Sequence, residues 1–134
     1  MRSIIRDSVI LAAPAEDLYA AYLDSARHAE ITGAPVTIGA ESGSLFTAFH
    51  GNITGTTLAV IPSKLVVQSW RSTNFHPGDS DSTLILAFVP EGKDGRIDLV
   101  HLDVPAVDYQ AVTAGWETYY WAPWRRYLAK AAGA

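Results

Sequence analysis

Apolar positions fall first into a strand-like alternation, then into helical spacing, then into short strand-like runs, and last into one long aromatic stripe. Residues 3–12, rich in Ile and Val, alternate imperfectly and predict a first strand. Pro14 suits a first helical turn, and Glu16 and Asp17 suit the positive end of a helix. Ala15, Leu18, Tyr19, Tyr22 and Leu23 keep helical spacing. Ser25 is placed to cap a short second helix over residues 26–31, which Gly33 stops. Residues 35–38 predict a short strand and residues 39–43 a turn. Five more strands are predicted at 44–50, 53–61, 65–71, 82–89 and 96–102. Pro62-Ser63 and residues 91–95 read as tight turns between neighbours. Residues 72–81, STNFHPGDSD, are polar, contain Pro77-Gly78 and read as a loop at one open end.

The last stretch, residues 108–131, is the one the others must accommodate. Stepped at about 100° per residue, Tyr109, Val112, Trp116, Tyr119, Tyr120, Pro123, Trp124 and Tyr127 share one broad face. Gln110, Glu117, Thr118, Arg125 and Arg126 fall away from it. Pro123 cannot donate to the carbonyl of Tyr119 and crowds it, which predicts a bend there. A face this aromatic needs a concave apolar surface to lie against. Strands joined by short turns imply an antiparallel sheet, with helices on one face: an α+β architecture of about seven strands.

Alternation assigns the faces. Leu84, Leu86 and Phe88 share a side, as do Ile97, Leu99 and His101; these bulkier sets belong under the long helix. Strict alternation carries Asp103 to the rim of the same side, and Trp70 and Phe46 also face in. The opposite set, Ile85, Ala87, Val100 and Leu102, reads equally as scattered surface residues or as a patch for a homodimer or a partner protein.

Composition narrows the classes. A length of 134 residues suggests one domain over 1–134, and 49% hydrophobic against 18% charged residues is an ordinary globular balance. The net charge of −4, without a basic run, argues against nucleic acid and anionic membrane surfaces as partners. The absence of cysteine excludes disulfides, thiol catalysis and Cys-ligated zinc, and fits a cytoplasmic protein. Arg6 and Asp7 interrupt the N-terminal apolar run, so residues 1–15 read as a strand rather than a secretory signal. No run approaches the ~18 apolar residues of a membrane span.

Motifs for familiar chemistry are missing. The histidines, His28, His50, His76 and His101, show no His-x-x-x-His spacing, so no metal is expected. There is no Gly-x-Ser-x-Gly elbow, phosphate loop or dinucleotide fingerprint, and no cofactor is implied. Asn52-Ile53-Thr54 matches a glycosylation acceptor only by chance. His101 on the inner face reads either as a core histidine bonded to Tyr119 or Tyr120, or as a group that orients a ligand or moves a proton. With Asp103 it makes the one candidate acid–base pair, though such an Asp more commonly caps a turn. His28 and Glu30, on the short second helix, read either as groups at a pocket entrance that touch or gate a ligand or, more commonly, as a solvated polar face.

Several local patterns carry a family resemblance. They are Ala13-Pro14-Ala15, Phe46 with Gly51 and Gly55, the run from Val66 through Trp70 to Arg71, His101-x-x-Val104-Pro105, and Gly115-Trp116 followed by Tyr119, Pro123 and Tyr127-Leu128. Together these resemble the bacterial proteins related to the activator of the heat-shock-protein-ninety ATPase, within the START-like, or SRPBCC, superfamily. Phe75 stands where relatives often carry Trp. The resemblance implies a helix-grip fold, a curved antiparallel sheet around a long C-terminal helix with a cavity between them. It implies no reaction, since the superfamily spans lipid carriers, receptors, cyclases and co-chaperone domains. The expectation is a pocket for a small, largely apolar ligand, lined by Phe46, Trp70, Phe88, Trp116, Tyr120 and Trp124 with His101 as polar contact. The alternatives are a co-chaperone-like or regulatory interaction module with a chaperone or other protein partner, and a cyclase- or hydrolase-type enzyme on an aromatic or polyketide-like substrate.

Overall fold

The computed structural model describes residues 2–133, excepting the side chain of Arg2. Seven strands form one antiparallel sheet: β1 (Arg2–Leu11), β2 (Val36–Thr37), β3 (Leu45–Ala48), β4 (Ile53–Ile61), β5 (Leu65–Ser72), β6 (Ser82–Glu91) and β7 (Asp94–Pro105). Their spatial order is β1-β7-β6-β5-β4-β3-β2. Two short helices, α1 (Ala15–Leu23) and α2 (Ser25–Thr32), carry the chain from one edge strand to the other. The C-terminal helical run comprises α3 (Tyr109–Gly115), a π-helical turn (Trp116–Trp121) and α4 (Ala122–Gly133). This is the expected α+β helix-grip arrangement.

The inner face is the one the alternation picks out. Leu84, Leu86, Phe88, Ile97, Leu99 and His101 are all buried, as are Phe46 and Trp70. Across the sheet, Ile5, His101, Leu84, Gln68 and Thr57 stand in one register row. Ile85 and Val100 pair on the opposite face and are half-buried, as are Ala87 and Leu102. Gly55 pairs with both Phe46 and Trp70, and a Cβ there would lie 1.9 Å from the Ser69 carbonyl oxygen. Only glycine permits so close an approach between β4 and β5.

Four local features depart from the sequence reading. Asp24, not Ser25, caps α2, accepting the Arg27 amide at 3.0 Å. The Ser25 hydroxyl is engaged instead by Ile38, whose amide donates to it at 3.0 Å. Strand β3 ends at Ala48 because Phe49, His50 and Gly51 all take positive φ, at 51°, 57° and 84°. A bulge in β7 holds Asp103 at φ 60° and exposes it, so it leaves the face that His101 occupies. The disturbance at Pro123 is a widened turn on its N-terminal side, in which the Ala122 amide bonds the Glu117 carbonyl five residues back. That extra residue reverses two aromatics. Tyr119, expected inside, is 57% exposed, while Trp121, left off the stripe, is 2% exposed and donates its indole N–H to Asp7 at 2.9 Å.

Candidate functional site: an aromatic cavity at the start of the long helix

Between the sheet and the start of the C-terminal helical run lies a cavity of about 470 Å³. The helix contributes Val112, Gly115, Trp116, Tyr119 and Tyr120; β4 and β5 contribute Ile53 and Trp70. Phe49 closes one side from the turn after β3, with its ring 5.6 Å from Tyr119 and 5.9 Å from Tyr120. A bulky residue at positive φ is strained, and strain of this kind is commonly kept where a side chain must be aimed at a site.

Part of the polar wall is a hydrogen-bonded knot around Asp108. Asp108 is 2% exposed and does not cap its helix. Its carboxylate accepts the Ser72 hydroxyl at 2.5 Å and the Asn74 amide at 3.0 Å. The Asn74 backbone N–H in turn donates to Ser72 Oγ at 3.1 Å. These bonds tie the end of β5 and the following loop to the helix. Phe75 from that loop packs at 6.2 Å from Trp70, beneath the Arg71 guanidinium at 5.5 Å. Arg71 also donates to the His76 and Asp79 carbonyls, so the loop is held at several points.

Of the residues expected to line a pocket, the cavity brings together Trp70, Trp116 and Tyr120. Phe46, Phe88 and Trp124 pack elsewhere in the core, at 1%, 3% and 1% exposure. His101 lies behind the wall, edge-on to Trp70 at 4.7 Å and 5.9 Å from Trp116. Its Nε2 meets Ser82 Oγ at 2.9 Å. Ser82 spends its proton on the Trp70 carbonyl at 2.6 Å, so the imidazole must donate and carries its hydrogen on Nε2. The bare Nδ1 has no partner, and neither does the indole N–H of Trp116 on the neighbouring ring. Burial lowers the His101 pKa to about 3. No carboxylate contributes to that shift, and Asp103 is not among its hydrogen-bond partners.

The histidine–tyrosine bond that the sequence suggested does exist, on another histidine. His28 is buried at 1% exposure instead of facing solvent, while Glu30 beside it is exposed. Its Nδ1 donates to the Tyr22 carbonyl at 2.7 Å, which leaves Nε2 to accept the Tyr120 hydroxyl at 2.9 Å. Burial lowers the His28 pKa to about 4 against the raising effect of the Tyr22 carbonyl, and burial raises that of Tyr120. Tyr22 donates to Gln68 at 2.7 Å, and Gln68 reaches Thr57, so the polar groups under α1 and α2 form a chain.

Sequence reasoning missed Phe49, Ser72, Asn74 and the role of Asp108, because all act through contacts distant along the chain. Among the described residues, no group of three or more His, Cys, Asp or Glu is arranged to hold a metal ion. No helix among them is long and apolar enough to cross a membrane.

Comparison with known proteins places this architecture. An uncharacterised protein of Schizosaccharomyces pombe is 29% identical over 119 residues, 89% of this chain and 35% of that protein. The human activator of 90 kDa heat shock protein ATPase homolog 1 is 27% identical over 105 residues, 78% of this chain and 31% of that protein. The chain thus spans about a third of the length of the curated relatives it matches. The crystal structure of PFC0360w, an HSP90 activator from Plasmodium falciparum, superposes with a TM-score of 0.79 at 19% identity, covering 87% of this chain and 89% of that one. The model of the Activator of Hsp90 ATPase homolog 1-like family matches residues 12–129, and the chain belongs to that family.

Proposed function

We propose that the protein binds a small, largely apolar ligand in the cavity between the sheet and the start of the long helix. The observation that carries this reading is the cavity itself, about 470 Å³ walled by Phe49, Trp70, Trp116, Tyr119 and Tyr120 with a minority of polar groups. Pockets of this size and lining, mostly apolar with a few fixed polar groups, are the usual form of a small-molecule site. His101 acts in this reading as a core group that positions Trp70, and catalysis is not required of it. The ligand would be met in the cytoplasm, the setting to which the cysteine-free composition points.

Gly115 provides the test. It lies on the cavity wall in helical conformation, and a Cβ added there meets Tyr119 at an ordinary 3.5 Å. Gly115→Leu therefore fills the cavity while improving helix propensity by ~0.5–1 kcal/mol. The wild type should bind the neutral fluorophore N-phenyl-1-naphthylamine saturably, and the variant should lose binding at equal or greater stability. Equal binding by both proteins would rule the cavity out as the site.

A second reading rests on the named relative. The human homologue is an activator of a heat shock protein ATPase, and the half-buried apolar residues on the outer sheet face offer a surface for a partner protein or a second copy. Partner binding of that kind would survive Gly115→Leu and fail on Val100→Glu.

A further inference from the structure

The charge of the cavity wall says more about the occupant than its shape does. Asp108 is the sole Asp, Glu, Lys, Arg or His among the described lining residues. Its two hydrogen bonds, from Ser72 and Asn74, come from neutral groups and leave half of the carboxylate's acceptor capacity unused. A carboxylate held out of bulk water is stabilised by a counter-charge, and no lining side chain supplies one. The same cavity presents the faces and edges of aromatic rings, Trp70, Trp116, Phe49 and Tyr119 among them. Such rings attract cations, while a buried negative charge repels anions across a low dielectric.

We infer that the pocket takes an amine: an apolar or aromatic body carrying one ammonium group, seated between the rings with its charge toward Asp108. The inference rests on the ligand-binding reading and adds the ligand's charge to it. Fatty acids, phosphates and other anionic amphiphiles are disfavoured by the same argument, for no lining side chain carries a positive charge.

Three probes that share one ring system separate the charge from the fit: 2-(1-naphthyl)ethylamine, 2-(1-naphthyl)ethanol and 1-naphthylacetate, titrated by calorimetry at pH 7. The amine should bind about tenfold or more tighter than the alcohol, and the carboxylate weakest. Asp108→Asn should bring the amine to within about threefold of the alcohol. The Asn side chain can still accept from one of Ser72 and Asn74, whose own polar groups can turn to meet its amide, so the knot has a way to persist. The thermal melting temperature checks that it does, and Ser72→Ala, which keeps the charge, should retain the amine preference. If alcohol and amine bind equally, or the carboxylate binds best, the amine assignment is overturned while the pocket stands. If none of the three binds, the pocket reading falls and the assignment with it.

Discussion

Acidification from pH 7 to pH 5 should remove much of this protein's stability, and two histidines set the amount. His28 and His101 are held neutral by burial, with pKa values lowered to about 4 and about 3. In the unfolded chain both return to about 6.5. Below that value the unfolded state binds protons that the folded state refuses, so stability falls as pH drops. At pH 5 each histidine is protonated in the unfolded chain and still neutral in the fold, a loss of roughly 2 kcal/mol per residue. Together they cost roughly 4 kcal/mol, against a typical stability of about 5–15 kcal/mol. The loss continues to about pH 4 for His28 and about pH 3 for His101, where the folded state begins to charge as well. The remaining histidines, His50 and His76, are exposed. Urea denaturation followed by tryptophan fluorescence at pH 7, 6 and 5 measures the slope. His101→Leu, which removes the orphaned Nδ1 along with the charge, should halve it. Stability that stays flat from pH 7 to pH 5 would show that the imidazoles charge in the fold as readily as in the unfolded chain, and would refute the buried neutral state assigned here.

Two other outcomes follow from the packing. Gly55→Ala should destabilise by ~3 kcal/mol or more, at or above the top of the overpacking range, because its Cβ meets backbone and no side chain can move aside; thermal melts check this. Trp121→Ala should cost ~3–5 kcal/mol, while Tyr119→Ala should cost under about 1 kcal/mol; a chemical denaturation series showing the reverse order would contradict the widened helical turn.

The sheet was legible from sequence because its signal is local. Strand β4 spans Ile53–Ile61 as the run of β-branched residues predicts, and the alternation of Leu84, Leu86 and Phe88 against Ile97, Leu99 and His101 selects the buried face. Three features broke the assumed periods. The bulge at Asp103 adds a residue to a two-residue repeat, which separates it from His101. The turn at Trp116–Trp121 adds one to a helical repeat, which sends Trp121 inward and Tyr119 outward. His28 sits in the sequence SARHAEIT, where polar neighbours conceal a buried residue whose partner, Tyr120, lies 92 positions away. The cavity was legible only in part. Trp70, Trp116 and Tyr120 announce themselves as large aromatics on inward faces, but Phe49 depends on left-handed backbone at a turn. Asp108 depends on Ser72 and Asn74, 36 and 34 residues distant, and nothing near it in the chain distinguishes it from a helix-starting aspartate.

The space between Trp70 and the long helix is the proposed ligand site. Its most direct test is a titration of the isotopically labelled protein with 2-(1-naphthyl)ethanol, followed through backbone and indole N–H resonances by NMR. Saturable shifts are expected at Phe49, Trp70, Asn74, Trp116 and Tyr119, with the outer-face residues Ile85 and Val100 unmoved, and their loss in Gly115→Leu. Shifts that map to the outer sheet face, or that persist unchanged when Gly115 is replaced, would contradict this assignment.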